Sequence, residues 1–164
     1  MPTHSYLEHI PEHGADVSLH PDAAVVGRVR LAGPARFESR ASVRGDQNWV
    51  SIGARFRIGT GSTIHVERHT PTVIGEDVWL GDDVVVHATT LGDCVRVEDG
   101  GLVLSTSKVG AGSIVAADAL VSEGTEFPEN SYIAGTPGRR IRDTTPEERA
   151  ATLQMVLAAL EQHS

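Results

Sequence analysis

A six-residue step between aliphatic residues runs along most of this chain and sets narrow limits on its fold. With one insertion and one deletion, the step links Ile52, Ile58, Ile64, Ile74, Leu80, Val86, Leu91, Val97, Val103, Val109, Val115 and Val121. An α-helix repeats its apolar residues at three and four, and an ordinary strand alternates at two over one short run. A step of six held over about seventy residues is typical of a parallel β-helix, in which three short strands complete one coil.

The composition agrees with such a coil. Each strand of a narrow three-sided prism sends only one or two side chains inward, and these must be apolar and stack on the next coil. Aromatic residues make up only 4% of the chain, so the predicted core consists of stacked aliphatic side chains. The sequence Gly81-Asp82-Asp83 suits a tight corner. The right-handed preference of ordinary parallel crossovers does not settle the hand of this coil, so the periodicity leaves the hand open.

The pattern predicts an all-β fold in two units, a β-helix domain with an N-terminal arm over residues 1–143 and a C-terminal helix over residues 144–164. Residues 1–15 are polar and interrupted by Pro, which predicts an irregular arm. Residues 44–51 interrupt the aliphatic step. An insertion within residues 65–73 predicts a loop that bulges from one corner.

The predicted helix has clear starting signals. Thr145 is the expected N-cap and Pro146 suits the first helical position. Acidic residues at 147 and 148 complement the helix dipole. An apolar stripe, which should pack on the coil or on a neighbouring chain, consists of Leu153, Val156, Leu157 and Leu160.

The net charge and the cysteine content limit the possible binding partners and the cellular compartment of this protein. A formal net charge of −8 argues against nucleic acid or an anionic membrane as a partner. The single cysteine, Cys94, excludes an intrachain disulfide and fits a reducing compartment. No apolar run reaches the ~18 residues of a membrane span, so the expected location is the cytoplasm.

Two histidines form a candidate metal site. His65 and His87 each follow an aliphatic residue of the step, and those two residues lie three steps, or one coil, apart. The imidazoles should therefore occupy the same position on adjacent coils, separated by about one strand spacing of ~4.8 Å. Two imidazoles stacked in this way can share a zinc ion. Solvated or interfacial histidines are the alternative.

Asp82 lies on the strand between the two histidines, at a different corner of the prism. Its carboxylate should not reach the pair within one chain, but a neighbouring chain of a symmetric trimer could bring it there. The result would be a site of two His and one carboxylate with an open fourth position.

Other polar residues have weaker signals. Glu67 and His69 lie in the predicted loop and could transfer protons, or could simply be solvated. Arg44 and Asp46 could form an ion pair at an interface. A basic cluster near the C-terminal exit could hold phosphates or face solvent, and consists of Arg139, Arg140 and Arg142.

Over roughly residues 16–143 the chain resembles the γ-class carbonic anhydrases and their bacterial relatives. The matching segments are VRGD (Val43 to Asp46), STIHV (Ser62 to Val66), PTVIG (Pro71 to Gly75), LGDDVVVH (Leu80 to His87) and the exit SYIAGTPGRRIR. The resemblance implies a left-handed β-helix with a C-terminal helix, assembled as a homotrimer with zinc at the subunit interfaces. It also implies that His65 and His87 are zinc ligands and that Arg44 and Asp46 form the interface ion pair.

The chain departs from the family at two positions. The third ligand, a His of the neighbouring chain in the family, corresponds to Asp82 here. The usual NIQD segment reads RIGT, so Gly59 replaces a Gln that helps to hold zinc-bound hydroxide. A carboxylate ligand lowers the net charge at the metal and makes bound water less acidic. The expectation is therefore metal-dependent chemistry on CO2 or on another small carbonyl substrate.

Three functions remain open from the sequence. The leading one is a divergent γ-carbonic-anhydrase-like zinc enzyme of the lyase type, in which metal-bound water attacks or the metal polarises a carbonyl. The second is a hexapeptide-repeat acyltransferase that uses acyl-CoA and a histidine base, although a long catalytic loop is missing. The third is a non-catalytic trimeric scaffold whose metal site has decayed through Asp82 and Gly59.

Overall fold

The computed structural model describes residues 2–162, so Met1 and the last two residues of the predicted helical unit lie outside the described residues. Within this range the chain forms twenty strands and one helix. In chain order these are β1 (Thr3–His4), β2 (Glu12–His13), β3 (Val17–Leu19), β4 (Ala24–Leu31), β5 (Ala35–Phe37), β6 (Ser42–Ile52), β7 (Phe56–Ile58), β8 (Thr63–His65), β9 (Thr72–Ile74), β10 (Val78–Leu80), β11 (Val85–His87), β12 (Thr90–Leu91), β13 (Arg96–Val97), β14 (Leu102–Val103), β15 (Lys108–Val109), β16 (Ile114–Val115), β17 (Leu120–Val121), β18 (Glu126–Phe127), β19 (Ser131–Ala134), β20 (Arg139–Asp143) and α1 (Pro146–Glu161).

The strands form the three faces of a parallel β-helix. The histidine face contains β1, the first halves of β4 and β6, and then β8, β11, β14 and β17. The groove face contains β2, the second halves of β4 and β6, and then β9, β12, β15 and β18. The helix face runs from β3 through β5, β7, β10, β13 and β16 to β19, where β20 adds in antiparallel fashion. The predicted parallel β-helix is confirmed.

The aliphatic step supplies the core. Each face sends at least one ladder of side chains inward, and residues of a ladder lie directly opposite each other on successive coils. The ladders are Val43, Ile64, Val86, Val103 and Val121 on the histidine face, Ile52, Ile74, Leu91 and Val109 on the groove face, and Phe37, Ile58, Leu80, Val97, Val115 and Ile133 on the helix face. All of these side chains are buried, so stacking along the axis replaces a globular core.

One sequence prediction about the first coils is wrong. The N-terminal arm is not irregular, because β1 and β2 pair in parallel with the two halves of β4. Residues 44–51, which interrupt the aliphatic step, still belong to the coil, because they lie within β6 and pair with β4 on both sides of a bulge. Backbone pairing does not require apolar side chains, so neither segment shows in the aliphatic step.

The C-terminal helix begins as the sequence predicts. Thr145 is the N-cap, and its hydroxyl and backbone exchange hydrogen bonds with Glu148 in a capping box. Helix α1 packs against β5, β7 and β10 of the helix face. Val156 of the expected stripe is buried, whereas the three Leu residues of the stripe are only half-buried. No helix in the described part of the chain is long and apolar enough to cross a membrane.

Candidate metal centre

His65 and His87 lie directly opposite each other at the ends of β8 and β11 on the histidine face. The centroids of their rings are 5.4 Å apart and the ring planes differ by 37°. Their side chains are partly shielded, with exposed fractions of 21% and 30%. The predicted stacking of the two imidazoles is thus confirmed. It arises because parallel strands of adjacent coils hold equivalent side chains at one strand spacing.

A bulge in β6 brings an acidic side chain to this pair. Gly45 and Val50 of β6 pair with Gly27 and Val29 of β4, so β6 carries three more residues over the same stretch. Asp46 lies in this bulge, and its Oδ1 is 2.9 Å from Nε2 of His65. The bulge therefore gives the first histidine a carboxylate partner.

Asp46 also pairs with Arg44 within the same chain, at 3.1 Å between Oδ2 and Nε. Burial raises the pKa of the Asp46 carboxyl. Hydrogen bonds from the Gln47 amide and His65, together with the charge of Arg44, outweigh burial and leave this pKa below its usual value. The carboxylate is therefore ionised at neutral pH and its side chain is only 17% exposed.

A second polar group contacts the other histidine. Ser105 Oγ lies 3.0 Å from Nδ1 of His87 and donates to Oε1 of Glu67 at 2.5 Å. The same carboxylate oxygen is 3.8 Å from Nδ1 of His87. Glu67 therefore reaches the histidine pair, whereas the sequence placed it only in a nearby loop. The sequence prediction missed Ser105. One coil between Val85 and Leu102 is 17 residues long, and the same count from His87 ends at residue 104, next to Ser105.

The next two loop residues, Arg68 and His69, are exposed. A bridge between Glu67 and Thr70 closes the loop tip, and the Arg68 carbonyl accepts a bond from the Asn48 side chain at 3.2 Å. His69 is exposed and makes no side-chain hydrogen bond or ion pair with any described residue.

Asp82 lies on the helix face, just after the end of β10, away from the histidine pair. Its Oδ1 accepts a bond from the Thr60 amide at 2.9 Å and lies 3.4 Å from Nη2 of Arg57. Asp93 and Asp99 each accept an amide bond from the neighbouring coil in the same manner, at 2.8 Å. Asp82 thus shares with Asp93 and Asp99 a role in tying adjacent coils together. Its side chain is 49% exposed, and its Oδ2 is not used in the described hydrogen bonds.

Gly59 has a steric reason to be glycine. A Cβ at this position would lie 2.1 Å from the Gly81 carbonyl oxygen and 2.5 Å from Oδ1 of Asp82. Both atoms belong to the next coil, where a backbone oxygen can move aside only if the coil itself shifts. The departure from the family's Gln therefore coincides with close packing between coils.

The side chains of this cluster could supply two of the four ligands of a tetrahedral zinc site. Among residues 2–162, no group of three or more His, Cys, Asp and Glu side chains could hold a metal ion. The chain does offer two imidazoles in register, and each has only one ring nitrogen engaged in the described contacts. Two neutral imidazoles suit zinc, and their polar partners are the kind that orient metal-ligating histidines. Within residues 2–162 of one chain, no third protein ligand joins the pair.

Two of the three arginines in the basic cluster near the C-terminal exit pair with acidic side chains. Arg140 pairs with Asp143, and Arg142 pairs with Glu148 at 2.6 Å while stacking over the Tyr132 ring. This arrangement leaves few free guanidinium groups for phosphate.

The chain is similar in sequence and structure to several known proteins. No family model matches it. Protein YrdA of Escherichia coli strain K12 is 33% identical over 152 residues, covering 88% of this chain and 83% of YrdA. Gamma carbonic anhydrase 1, mitochondrial, of Arabidopsis thaliana is 33% identical over 136 residues, covering 79% of this chain and 50% of the plant protein. A solved hexapeptide transferase family protein from Anaplasma phagocytophilum has a TM-score of 0.91 at 25% identity, covering 96% of this chain and 93% of that one.

The fold and these likenesses define a hexapeptide-repeat β-helix protein. More narrowly, the chain belongs to the γ-carbonic-anhydrase-like family of such proteins. Members of the wider group carry names of both lyases and transferases, so the site has to decide between them.

Proposed function

We propose that this protein is a metal-dependent enzyme of the lyase type that acts on CO2 or another small carbonyl substrate. The observation that carries the proposal is the in-register pair of His65 and His87, each held by its own polar partner. A histidine pair that is merely solvated does not need a buried Ser and a shielded Asp beside it.

The proposed metal is zinc, held by His65 and His87 of one chain and by Asp82 of a neighbour in a homotrimer. The free Oδ2 of Asp82 leaves this carboxylate able to bind a cation while Oδ1 keeps its corner contact. A ladder of outward apolar side chains supports the trimer. It runs beside the histidine pair and consists of Val85, Leu102 and Leu120. Leu102 is 38% exposed, which suits a surface that another chain covers.

When bound, zinc would supply Lewis acidity and lower the pKa of a coordinated water. The protein's own residues would prepare the site and move protons. Asp46, fixed by Arg44, orients the imidazole of His65. Glu67 receives a proton from the side of the site through its free carboxylate oxygen, and exposed His69 passes protons to solvent.

The substrate preference follows from the third ligand. A carboxylate in place of an imidazole lowers the positive charge at the metal, which makes a coordinated water less acidic. We therefore propose that CO2 hydration is weak and that a carbonyl substrate polarised directly by the metal is preferred.

A second candidate function is acyl transfer from acyl-CoA, favoured by the likeness to a hexapeptide transferase family protein. In that case a histidine of the pair would act as the base that activates the acceptor. The engagement of Arg140 and Arg142 by acidic neighbours argues against a phosphate-binding exit. A trimeric scaffold without activity is the third candidate.

Metal content separates these functions. We expect protein purified without a His tag to contain about one zinc per chain, and His65→Ala and His87→Ala each to lose it. The wild-type protein is then assayed for CO2 hydration, for hydrolysis of a small ester, and for CoA release from acetyl-CoA with amine acceptors. Unchanged metal content in both variants would overturn the proposed site. CoA release that survives removal of metal would favour the acyltransferase.

A further inference from the structure

We propose that Ser105 is a positioning residue that fixes the tautomer of His87, so that Nδ1 carries the proton and Nε2 presents its lone pair. The structural part of this inference stands on the hydrogen bonds within one chain, whereas its consequence for zinc rests on the proposed function. Ser105 is set apart from the other serines by its position between a histidine and a carboxylate.

The single proton of the Ser105 hydroxyl determines which tautomer of His87 is present. A serine hydroxyl has one proton to donate, and Ser105 Oγ directs it to Oε1 of Glu67 at 2.5 Å. The hydroxyl can then only accept at its 3.0 Å contact with Nδ1 of His87. That nitrogen must therefore carry the proton. The Glu67 oxygen at 3.8 Å from the same nitrogen favours a proton there as well.

The backbone holds the hydroxyl in place. Ser105 is only 5% exposed, and its carbonyl accepts a bond from the Gly124 amide of the next coil at 3.0 Å. The amide of Thr106 donates to the Ala88 carbonyl, next to His87, at 2.8 Å. Both flanking coils therefore fix the backbone at this corner, and the bond to Glu67 holds the hydroxyl toward His87.

The neighbouring histidine has the opposite assignment. Nε2 of His65 faces the carboxylate of Asp46, which can only accept, so the proton of neutral His65 lies on Nε2. The two stacked imidazoles are therefore in different tautomers. This difference gives an internal reference within a single sample.

The test is nitrogen-15 NMR of the metal-free protein at a pH where both imidazoles are neutral. Long-range proton–nitrogen correlations identify the protonated nitrogen of each ring, and His87→Gln and His65→Gln assign the signals. In the wild type, we expect His87 protonated on Nδ1 and His65 on Nε2. A wild-type His87 protonated on Nε2 would overturn the inference without any variant.

Variants of Ser105 test whether this residue positions the His87 ring or only stabilises the fold. Ser105→Ala should move the His87 proton toward Nε2, and Ser105→Thr should restore the wild-type signal because it keeps the hydroxyl. Ser122→Ala, on the next coil and opposite Leu104 rather than Ser105, is the control and should change neither ring. A Ser105→Ala protein with an unchanged His87 tautomer would also reject the inference.

Zinc titration then links the tautomer to the metal. If the metal site is as proposed, Ser105→Ala should weaken zinc binding by about 10-fold or more, while Ser122→Ala leaves it unchanged. If the wild type shows the assigned tautomers and binds no zinc, the proposed function fails and the assignment of Ser105 stands. If zinc binds but the tautomers do not depend on Ser105, the positioning role fails and the metal site stands.

Discussion

Asp46 and His65 are joined at 2.9 Å, between Oδ1 and Nε2, although they lie on different coils and nineteen positions apart in the sequence. Arg44 holds the other oxygen of the same carboxylate at 3.1 Å. The result is a chain of guanidinium, carboxylate and imidazole that leads to the candidate metal site. The exposed pair of His20 and Asp22 makes a similar contact but has no second histidine in register. The argument for a role of His65 in binding is therefore the combination of this contact with the stacked ring of His87.

We expect Asp46→Asn to weaken zinc binding by roughly 10-fold, because losing a carboxylate partner of a metal-ligating histidine typically costs 10–100-fold in affinity. The amide keeps the size of the side chain but loses the charge that pairs with Arg44. Isothermal titration of the metal-free protein with zinc measures the change. Tighter zinc binding would mean instead that Asp46 competes with the metal for the His65 ring.

The sequence predicted the histidine pair but not its partners, for a physical reason. The six-residue step fixes which residues stack between coils, so the register of His65 and His87 followed from counting. Asp46 reaches His65 only because β6 bulges, and a bulge does not alter the apolar ladder. Ser105 lies at a corner, where the side chain can point either along the face or away from it.

The second prediction concerns the role of Asp82 as a zinc ligand. Asp82→Asn keeps an oxygen that accepts the Thr60 amide bond, but it removes the charge that favours a metal ion. We expect the zinc content per chain to fall by at least half, with little change in melting temperature. Asp99→Asn is the matched control, because Asp99 makes the same corner contact one coil further on. Equal zinc content in the two variants would leave Asp82 with its corner role alone.

The third prediction compares the two titratable residues of the loop. Glu67 contacts Ser105 at 2.5 Å, whereas His69 is exposed and has no side-chain partner among the described residues. His69→Ala should therefore lower turnover about 10-fold or more in weak buffer, and small imidazole buffers should restore it. Glu67→Gln should lower turnover in both weak and strong buffer, because it also alters the contact to the histidine pair. Stopped-flow assays at several buffer concentrations distinguish these outcomes, and identical rates in all proteins would make the loop a solvated bulge.

Assembly is the fourth prediction. Leu102 lies in the outward apolar ladder beside the histidine pair, so Leu102→Glu should place a charge in the trimer interface and dissociate it. Light scattering at micromolar concentration should give a trimer mass for the wild type and a smaller mass for the variant. Zinc should be lost with the trimer if a neighbour supplies a ligand. Ile141→Glu, at another exposed apolar residue that is 61% accessible, is the control and should remain trimeric. A wild type that is monomeric would reject both the trimer and the shared site.

The last prediction concerns Gly59. Its close packing limits any attempt to introduce the Gln that the family has at this position. The sequence alone suggests a lost catalytic residue at this position, which Gly59→Gln could return. The packing of the two coils argues otherwise, because a Cβ would lie 2.1 Å from the Gly81 carbonyl oxygen of the next coil.

Gly59→Ala should therefore destabilise the protein by about 1–3 kcal/mol through overpacking, and Gly59→Gln by at least as much. Gly124→Ala is the control for a glycine with open space, where the cost arises only from its positive φ of 69°. That backbone cost is about 1–2 kcal/mol, so the two alanine variants separate crowding from conformation when their crystal structures are compared. In Gly59→Ala the distance between the two coils at this corner should increase, whereas in Gly124→Ala the coil spacing should be unchanged. A Gly59→Gln protein with wild-type melting temperature and raised CO2 hydration would show that the corner can open, and the position would then belong to the active site.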